Sequence, residues 1–542
     1  MPSLLTPSVD RDAPVEAAGP ADRDDRRAAG VAALLTATGA LVLYLATLAP
    51  SIAWSHQGSD SGELVAAAYT LGVPHPTGYP LFAILAHLAT YLPTGDPARS
   101  VNVFDAVCGA VAVGLIAWLA ADLARPGRRA IAALAAGGLL AVTPLFWSQA
   151  ILAEVYALAA ALLAAVLVAL TRWRREWPDP KAHRWLVLAA FCFGLALAHH
   201  ATVAFLAPAL ALAVAAVAGR RVWRPQFWIE PVVAVLPGLG LYLYLPWRAA
   251  ARPPVNWGLA DTWEGFLWVV LAAPYRAKTF QWELLLQPAQ YADLAALVVR
   301  EIPLPALLIA GWGAVRLIRQ DRVWGALLVL VALIPTIQRL TYSITHVDAY
   351  YIPLLQILAV WTGIGLSQVA DGAAHFRARS RRAVYLGLLT TVIVLATARA
   401  ATVFDAMDLS RETAPREFGI ATLEAVPPSA VLLTQRDDYT FSLWYAQYVL
   451  GVRLDVALVQ DRMLSFPWYQ EHLRRLYPDL EVGDLGDKDG SRPIELIRQN
   501  LGHRPVVLAD SGIVPLLRLY FEVQPIGEEL VAVIRDRRES DR

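Results

Sequence analysis

Apolar runs of about twenty residues, the length needed to cross a bilayer, recur along this chain between short polar breaks. They fall at residues 31–50, 101–122, 130–147, 150–170, 185–200, 201–218, 227–246, 303–318, 323–340, 349–369 and 383–401. The pattern predicts a mainly α, polytopic membrane protein with about eleven transmembrane helices. The run at 78–93 is shorter and proline-bounded, so it reads as re-entrant or interfacial. After residue 402 the hydrophobic period changes. Short β-rich runs at 431–434, 455–459, 505–508 and 530–534 alternate with helical segments near 441–450, 468–476, 494–501 and 515–521. That alternation predicts a small parallel α/β domain. The expected organisation is a disordered cytoplasmic tail at 1–30, a transmembrane body at 31–402 with a long first outer loop at 51–100, and a soluble α/β domain at 403–542.

Composition agrees with a membrane chain. It is 57% hydrophobic and 17% charged, where soluble proteins carry roughly a quarter charged residues. Net charge is zero, which argues against a nucleic-acid partner. Cys108 and Cys192 lie in apolar runs and read as small buried hydrophobes, with no disulfide framework implied. Arginine clusters at 125–129, 172–184, 220–221, 316–322 and 377–382 separate alternate pairs of apolar runs. By the positive-inside rule they are cytoplasmic. The intervening loops and the C-terminal domain are then extracytoplasmic. Abundant Ala, Arg and Leu with little Lys is the usage of a high-GC bacterium, so the expected membrane is the inner (plasma) membrane.

Almost every unusual polar residue falls on that outer side. Trp54-Ser-His-Gln-Gly-Ser-Asp60-Ser-Gly-Glu63 follows the first apolar run directly, and Leu71-Gly-Val-Pro-His75-Pro-Thr-Gly-Tyr79-Pro80 comes next. Asp60 and Glu63 are spaced to share the first turn of a helix, which Ser59 or Ser61 could cap. Isolated acids beside hydrocarbon cost desolvation energy unless something uses them; the plainer alternative is that they favour the helix's positive end. Glu154 is expected about one turn inside its span, with Tyr156, His199 and His200 as possible partners, or as a structural polar contact. Arg248 and Arg252 lie outside against the charge trend, near Asn256. They suggest a bound anion, phosphate suiting their forked donors, or else snorkelling at the interface. Arg276 and Arg339 are weaker candidates for the same role. His346 and Asp348 sit where a span begins, and Asp437-Asp438 after the first strand suits either a ligand contact or a surface turn. Trp54, Tyr79 and Trp257 offer faces for sugar rings. The histidines have no i, i+4 pairing and no cysteine helps them, so no metal site is expected.

Together, Asp60-Ser-Gly-Glu63, His75-Pro-Thr-Gly-Tyr79-Pro80, Asn102, Ala153-Glu154-Val-Tyr156, His199-His200, Tyr244-Leu-Pro-Trp-Arg248 and Leu443-Trp-Tyr445 resemble the GT-C superfamily of membrane glycosyltransferases. More narrowly they resemble a bacterial membrane family that includes a eukaryotic transmembrane protein O-mannosyltransferase. A second proline is usual in that family where Thr77 stands. The resemblance implies a polyprenyl-phosphate-linked sugar as donor and an extracytoplasmic hydroxyl acceptor, protein or glycan, with inversion at the anomeric carbon. It implies Asp60 as general base and Glu63 as an orienting, catalytic partner. Arg248 or Arg252, with His346, would stabilise the leaving phosphate. His75, Tyr79, Glu154, His199, His200, Asn256 and Asp348 would complete the substrate site. No cofactor is required, and a divalent cation is compatible with the superfamily. The alternatives are a secondary transporter of an envelope precursor, expected to carry mid-span charges and internal repeats, or a non-catalytic envelope scaffold.

Overall fold

The computed structural model describes residues 20–345, 347–372, 378–486, 491–509, 512–526 and 530–539. Its helices up to the last apolar run are α1 (Pro20–Thr47), α2 (Ser61–Thr70), α3 (Pro80–Ala89), α4 (Pro97–Leu123), α5 (Arg129–Ala141), α6 (Pro144–Ser148), α7 (Tyr156–Glu176), α8 (His183–His199), α9 (Ala207–Ala218), α10 (Gln226–Gly240), α11 (Tyr244–Ala250), α12 (Trp263–Val270), α13 (Pro288–Glu301), α14 (Leu304–Gln320), α15 (Arg322–Leu340), α16 (Ile352–Gly372) and α17 (Ala378–Met407). The protein is a multi-pass membrane protein. Among the described residues nine helices are long and apolar enough to cross a bilayer, and the pair α13–α14, bent by 103°, is either one broken span, which would make ten, or a re-entrant loop. The expected run at 130–147 is instead a thirteen-residue α5, about 20 Å long, broken from α6 at Val142–Thr143. The ten-residue α3 reaches only about 15 Å, too short to span, and lies where the interfacial segment was expected.

Two boundaries differ from expectation. Residues 20–30, read as tail, belong to α1. Asp22 pairs with Arg129 at 2.6 Å and with Arg26 at 2.8 Å, and Asp25 lies 3.5 Å from Arg129. These pairs fasten the first turns of α1 to the start of α5. The remainder of that tail lies outside the described residues. Further on, α7 begins at Tyr156, so Glu154 lies in the turn before the span and not one turn inside it.

Small residues let the spans approach closely. A Cβ on Gly238 of α10 would stand 2.1 Å from the backbone of Gly194 on α8, so these two helices touch main chain to main chain.

The C-terminal part comprises α18 (Ala414–Ala425), β1 (Val431–Thr434), α19 (Asp437–Trp444), β2 (Ala457–Gln460), α20 (Pro467–Leu476), α21 (Arg492–Asn500), β3 (Val506–Leu508), α22 (Val514–Leu517), β4 (Phe521–Ile526) and β5 (Leu530–Asp536). The sheet order is β2-β1-β3-β5-β4. β1 pairs in parallel with β2 and β3, as expected, but β5 runs antiparallel to β3 and to β4. The sheet is therefore mixed. The expected helix at 515–521 shrinks to the four residues of α22, because Phe521–Ile526 pairs along β5, with Phe521 opposite Asp536 and Ile526 opposite Leu530.

This domain does not stand apart from the membrane body. Leu64, Val65 and Ala66 to Ala68 of α2 share one hydrophobic core with Leu432, Leu443 and Leu458. Each fully buried leucine there contributes roughly 1.5–3 kcal/mol. Gly62 sits at the tightest point, where a Cβ would stand 2.4 Å from the Phe441 carbonyl oxygen of α19. Backbone cannot retreat as a side-chain tip can. Gly62→Ala should destabilise the junction by about 1–3 kcal/mol. Faster limited proteolysis between α17 and α18 than in wild type would report it.

Candidate active site

The segment 51–60 is tied down on three sides before α2 begins. Ser61 Oγ accepts from the Ala53 N–H and donates to the Ala53 carbonyl, both at 3.0 Å. Glu412 Oε1 accepts from the N–H groups of Trp54 at 2.8 Å and Ser55 at 3.0 Å. Asn102 of α4 donates to the carbonyls of Ala49 and Ser51, each at 2.9 Å. Between these anchors His56 and Gln57 take left-handed φ values of 59° and 65°, a strained conformation for residues with a Cβ. The result delivers Asp60 to the first position before α2. Asp60 makes no side-chain cap bond, and neither Ser59 nor Ser61 caps the helix. Its carboxylate instead lines a cavity of about 930 Å³.

Glu63, one turn on, is fully buried and does not line that cavity. Its two oxygens accept from His75, Oε1 from the main-chain N–H at 2.8 Å and Oε2 from ring Nδ1 at 2.7 Å. His75 Nε2 then lies 3.2 Å from the Tyr79 hydroxyl and 4.0 Å from Asp60 Oδ2. Burial alone would lower the pKa of His75, but Glu63, Asp60 and Glu154 outweigh it and hold it up to about 9. With an imidazolium, Nε2–H donates to Tyr79, whose hydroxyl donates to the Pro76 carbonyl at 3.4 Å. The protonated ring stabilises the fold fully below about pH 6.5, and that contribution is lost as pH rises through about 9. The thermal midpoint of wild type relative to His75→Gln should therefore fall between pH 6.5 and 9.5. A difference independent of pH would contradict the ion pair.

Glu154 lines the cavity together with Asp60. Its main-chain N–H donates to Asp105 Oδ2 at 3.1 Å, and Asp105, fully buried on α4, was not singled out from the sequence. Burial, with Asp60 nearby, pushes the Glu154 carboxyl well above its usual range. Burial also raises Asp60, with His75 pulling it back. Burial thus raises both carboxyls, and His75 opposes the rise at each.

His200 faces the same space, its ring 5.7 Å from Tyr79 and from Tyr350. His199 points away and bonds the Val155 carbonyl at 2.6 Å, the backbone turning extended at His200 where α8 ends. Tyrosines 79, 156, 275, 342 and 350 complete much of the wall. Beside Tyr156, His200 and Tyr350 a narrower, mostly apolar cleft opens between α7, α15 and α16.

Several expected positions lie elsewhere. Arg248 Nε donates to the Leu71 carbonyl at 2.7 Å and Nη2 to Thr70 at 3.4 Å. It serves the last carbonyls of α2 and does not line the cavity. Arg252 is exposed outside it. Asn256 is buried, donating to the Ala249 carbonyl at 3.2 Å. Asp348 pairs with Arg339 at 3.5 Å. His346 lies outside the described residues. Trp54 packs on Tyr439 and donates to Ser442 Oγ at 2.9 Å, within the domain junction. Among the described residues, the arginine and lysine side chains that do line the cavity are Arg276 and Lys278. Lysine is rare here, occurring at 181, 278 and 488, and one such residue beside Arg276 in a loop expected outside was the available signal. Asp437, in the first turn of α19, also lines the cavity, whereas Asp438 is held by Arg436. Among the described residues no three His, Cys, Asp or Glu side chains are arranged to hold a metal ion.

The chain and its fold are similar to known proteins. Residues 60–222 match the family model of the protein O-mannosyl-transferase TMEM260 N-terminal domain, and residues 415–480 match TMEM260-associated domain 2. The protein O-mannosyl-transferase TMEM260 of Mus musculus is 27% identical over 478 residues, covering 82% of this chain and 65% of that protein. The corresponding protein of Dictyostelium discoideum is 25% identical over 244 residues, covering 42% of this chain and 28% of its own length. The chain thus spans less than two thirds of either relative. The crystal structure of ArnT from Cupriavidus metallidurans bound to undecaprenyl phosphate superposes with a TM-score of 0.55 at 13% identity, over 92% of this chain and 97% of that one. The apo form gives 0.57. Both TMEM260 domain models are thus matched in chain order, and the fold is similar to that of ArnT.

Proposed function

We propose that this protein transfers a sugar from a polyprenyl-phosphate donor to a hydroxyl of an extracytoplasmic acceptor, with inversion. The observation that carries the reading is one cavity at the bundle end that joins Asp60, Glu154, Arg276 and Lys278 to an apolar cleft. The cleft between α7, α15 and α16 takes the first isoprene units, and Arg276 and Lys278 take the phosphate. The tyrosine walls hold the sugar. The acceptor oxygen attacks the anomeric carbon while Asp60 removes its proton. The carbon–oxygen bond to phosphate breaks, and polyprenyl phosphate leaves against the two cations. Glu154, still protonated, donates a hydrogen bond to the donor. Glu63 acts through His75, fixing the ring that faces Asp60. The arginine loops at the opposite end of the bundle are cytoplasmic by the positive-inside rule, which puts the cavity and the C-terminal domain outside.

The test is polyprenyl phosphate release coupled to sugar transfer in membranes containing the full chain and lipid-linked sugar. Equal release from membranes carrying the Asp60→Asn variant would remove the reading. The phosphate assignment is separable. Arg276→Ala with Lys278→Ala should raise the donor KM roughly tenfold or more, the loss expected for charged hydrogen bonds. Arg248→Ala should leave donor KM near wild type, because that side chain serves α2.

A further inference from the structure

The apolar cleft and the cavity share five lining residues, Tyr156, His200, Thr202, Gln338 and Tyr350, so these five mark where one space opens into the other. Four of them pack on or bond to one another. The Tyr156 ring meets Tyr350 edge-on at 6.1 Å, His200 meets Tyr350 at 5.7 Å, and Thr202 Oγ1 lies 2.6 Å from His200 Nδ1. Gln338, near the end of α15, stands apart. It is 7% exposed. Among the described residues its side-chain amide has no hydrogen-bond partner, while its main-chain carbonyl accepts from Thr341 Oγ1 at 3.1 Å. Neighbouring polar side chains are engaged. Gln356 donates to the Ala160 carbonyl at 3.0 Å, Thr336 donates to the Ala332 carbonyl at 2.7 Å, and Arg339 turns to Asp348. A buried amide with no partner forfeits the hydrogen bonds that water would give it, and in a membrane protein such a group marks a ligand path.

We propose that Gln338 is a specificity-determining residue for the donor, its amide nitrogen donating to the phosphate oxygens nearest the prenyl chain. The inference rests on the transferase reading and adds to it the group that tells a phosphorylated lipid from the bare alcohol where chain meets headgroup. With the first isoprene units in the cleft and the phosphate beside Arg276 and Lys278, the ester between them lies among the shared residues. An amide suits that place. It offers two N–H donors and carries no charge to the edge of the hydrocarbon, where an ionised group would cost far more to bury.

Binding of undecaprenyl phosphate and of undecaprenol to the full-length protein in detergent, without sugar or acceptor, tests it. Gln338→Leu should bind the phosphate lipid roughly tenfold more weakly, the loss expected when a hydrogen bond to a charged group is removed. Gln338→Met, closer in shape to the native side chain, should show the same loss. Both variants should bind the alcohol as wild type does, which also reports that they fold. Wild-type affinity for the phosphate lipid in either variant overturns the proposal. So does a parallel loss of both lipids, which would make Gln338 part of the cleft wall alone. Displacement of the phosphate lipid by an equal concentration of inorganic phosphate also overturns it, because the prenyl chain would then have no role. Each of these results leaves the transferase reading standing as long as wild type binds undecaprenyl phosphate. Absence of that binding removes the donor reading, and this inference with it.

Discussion

Asp60→Asn should lower sugar transfer on the order of 10³-fold, the contribution expected of a positioned general base, while the protein still inserts and folds. The side chain makes no structural bond that Asn would break. Its one hydrogen bond is a 3.3 Å contact from Ser59, and the helix it precedes is not capped by it. Asn keeps the shape, removes the capacity to take a proton, and also removes the charge 4.0 Å from His75 Nε2. The measurement is initial rate in reconstituted membranes, with thermal stability as control. Retained transfer would sink the assignment. Glu154→Gln is the informative comparison. Burial and Asp60 push the Glu154 carboxyl well above its usual range; with Glu154 as the protonated donor proposed above, the amide replaces one hydrogen-bond donor with another, and a far smaller loss is expected.

Glu63→Ala should act on the fold and the rate together. Glu63 is fully buried and both its oxygens are engaged by His75. Removing one partner leaves a buried imidazolium uncompensated, a change that costs about 3–5 kcal/mol. His75 would lose both its proton and its orientation, and Tyr79 would lose the Nε2–H that fixes its hydroxyl. A fall in thermal midpoint together with a fall in kcat is expected. Glu63→Gln should recover part of the stability, since its carbonyl still accepts one of the two bonds. Normal stability with lost activity would instead make Glu63 a direct participant, contrary to its position behind the cavity wall.

Much of this was legible along the chain. Apolar length and arginine spacing located the membrane body. The change of period after the last span located the sheet domain. The acidic pair and the His-Pro-Thr-Gly-Tyr-Pro stretch marked the region that closes the cavity. Position alone misjudged the cations. Arg248 breaks the charge trend, yet it serves α2, because its neighbour in space is Leu71, nearly 180 positions away in sequence. Spacing likewise paired Asp60 with Glu63 as equals, whereas the first turn of α2 sends one carboxylate into the cavity and the other into the core.

What local pattern determines here is where the chain can sit: hydrocarbon accepts only apolar helices with their backbone bonds closed within themselves, and that requirement is written residue by residue. Which charge meets which is a property of separations that only packing creates. Helix α2 had to wedge between the spans and α19, at a glycine with no room for a methyl group, before Asp437 could look across at Asp60. Lys278 and Arg276 had to be carried there by a loop with no periodicity of its own.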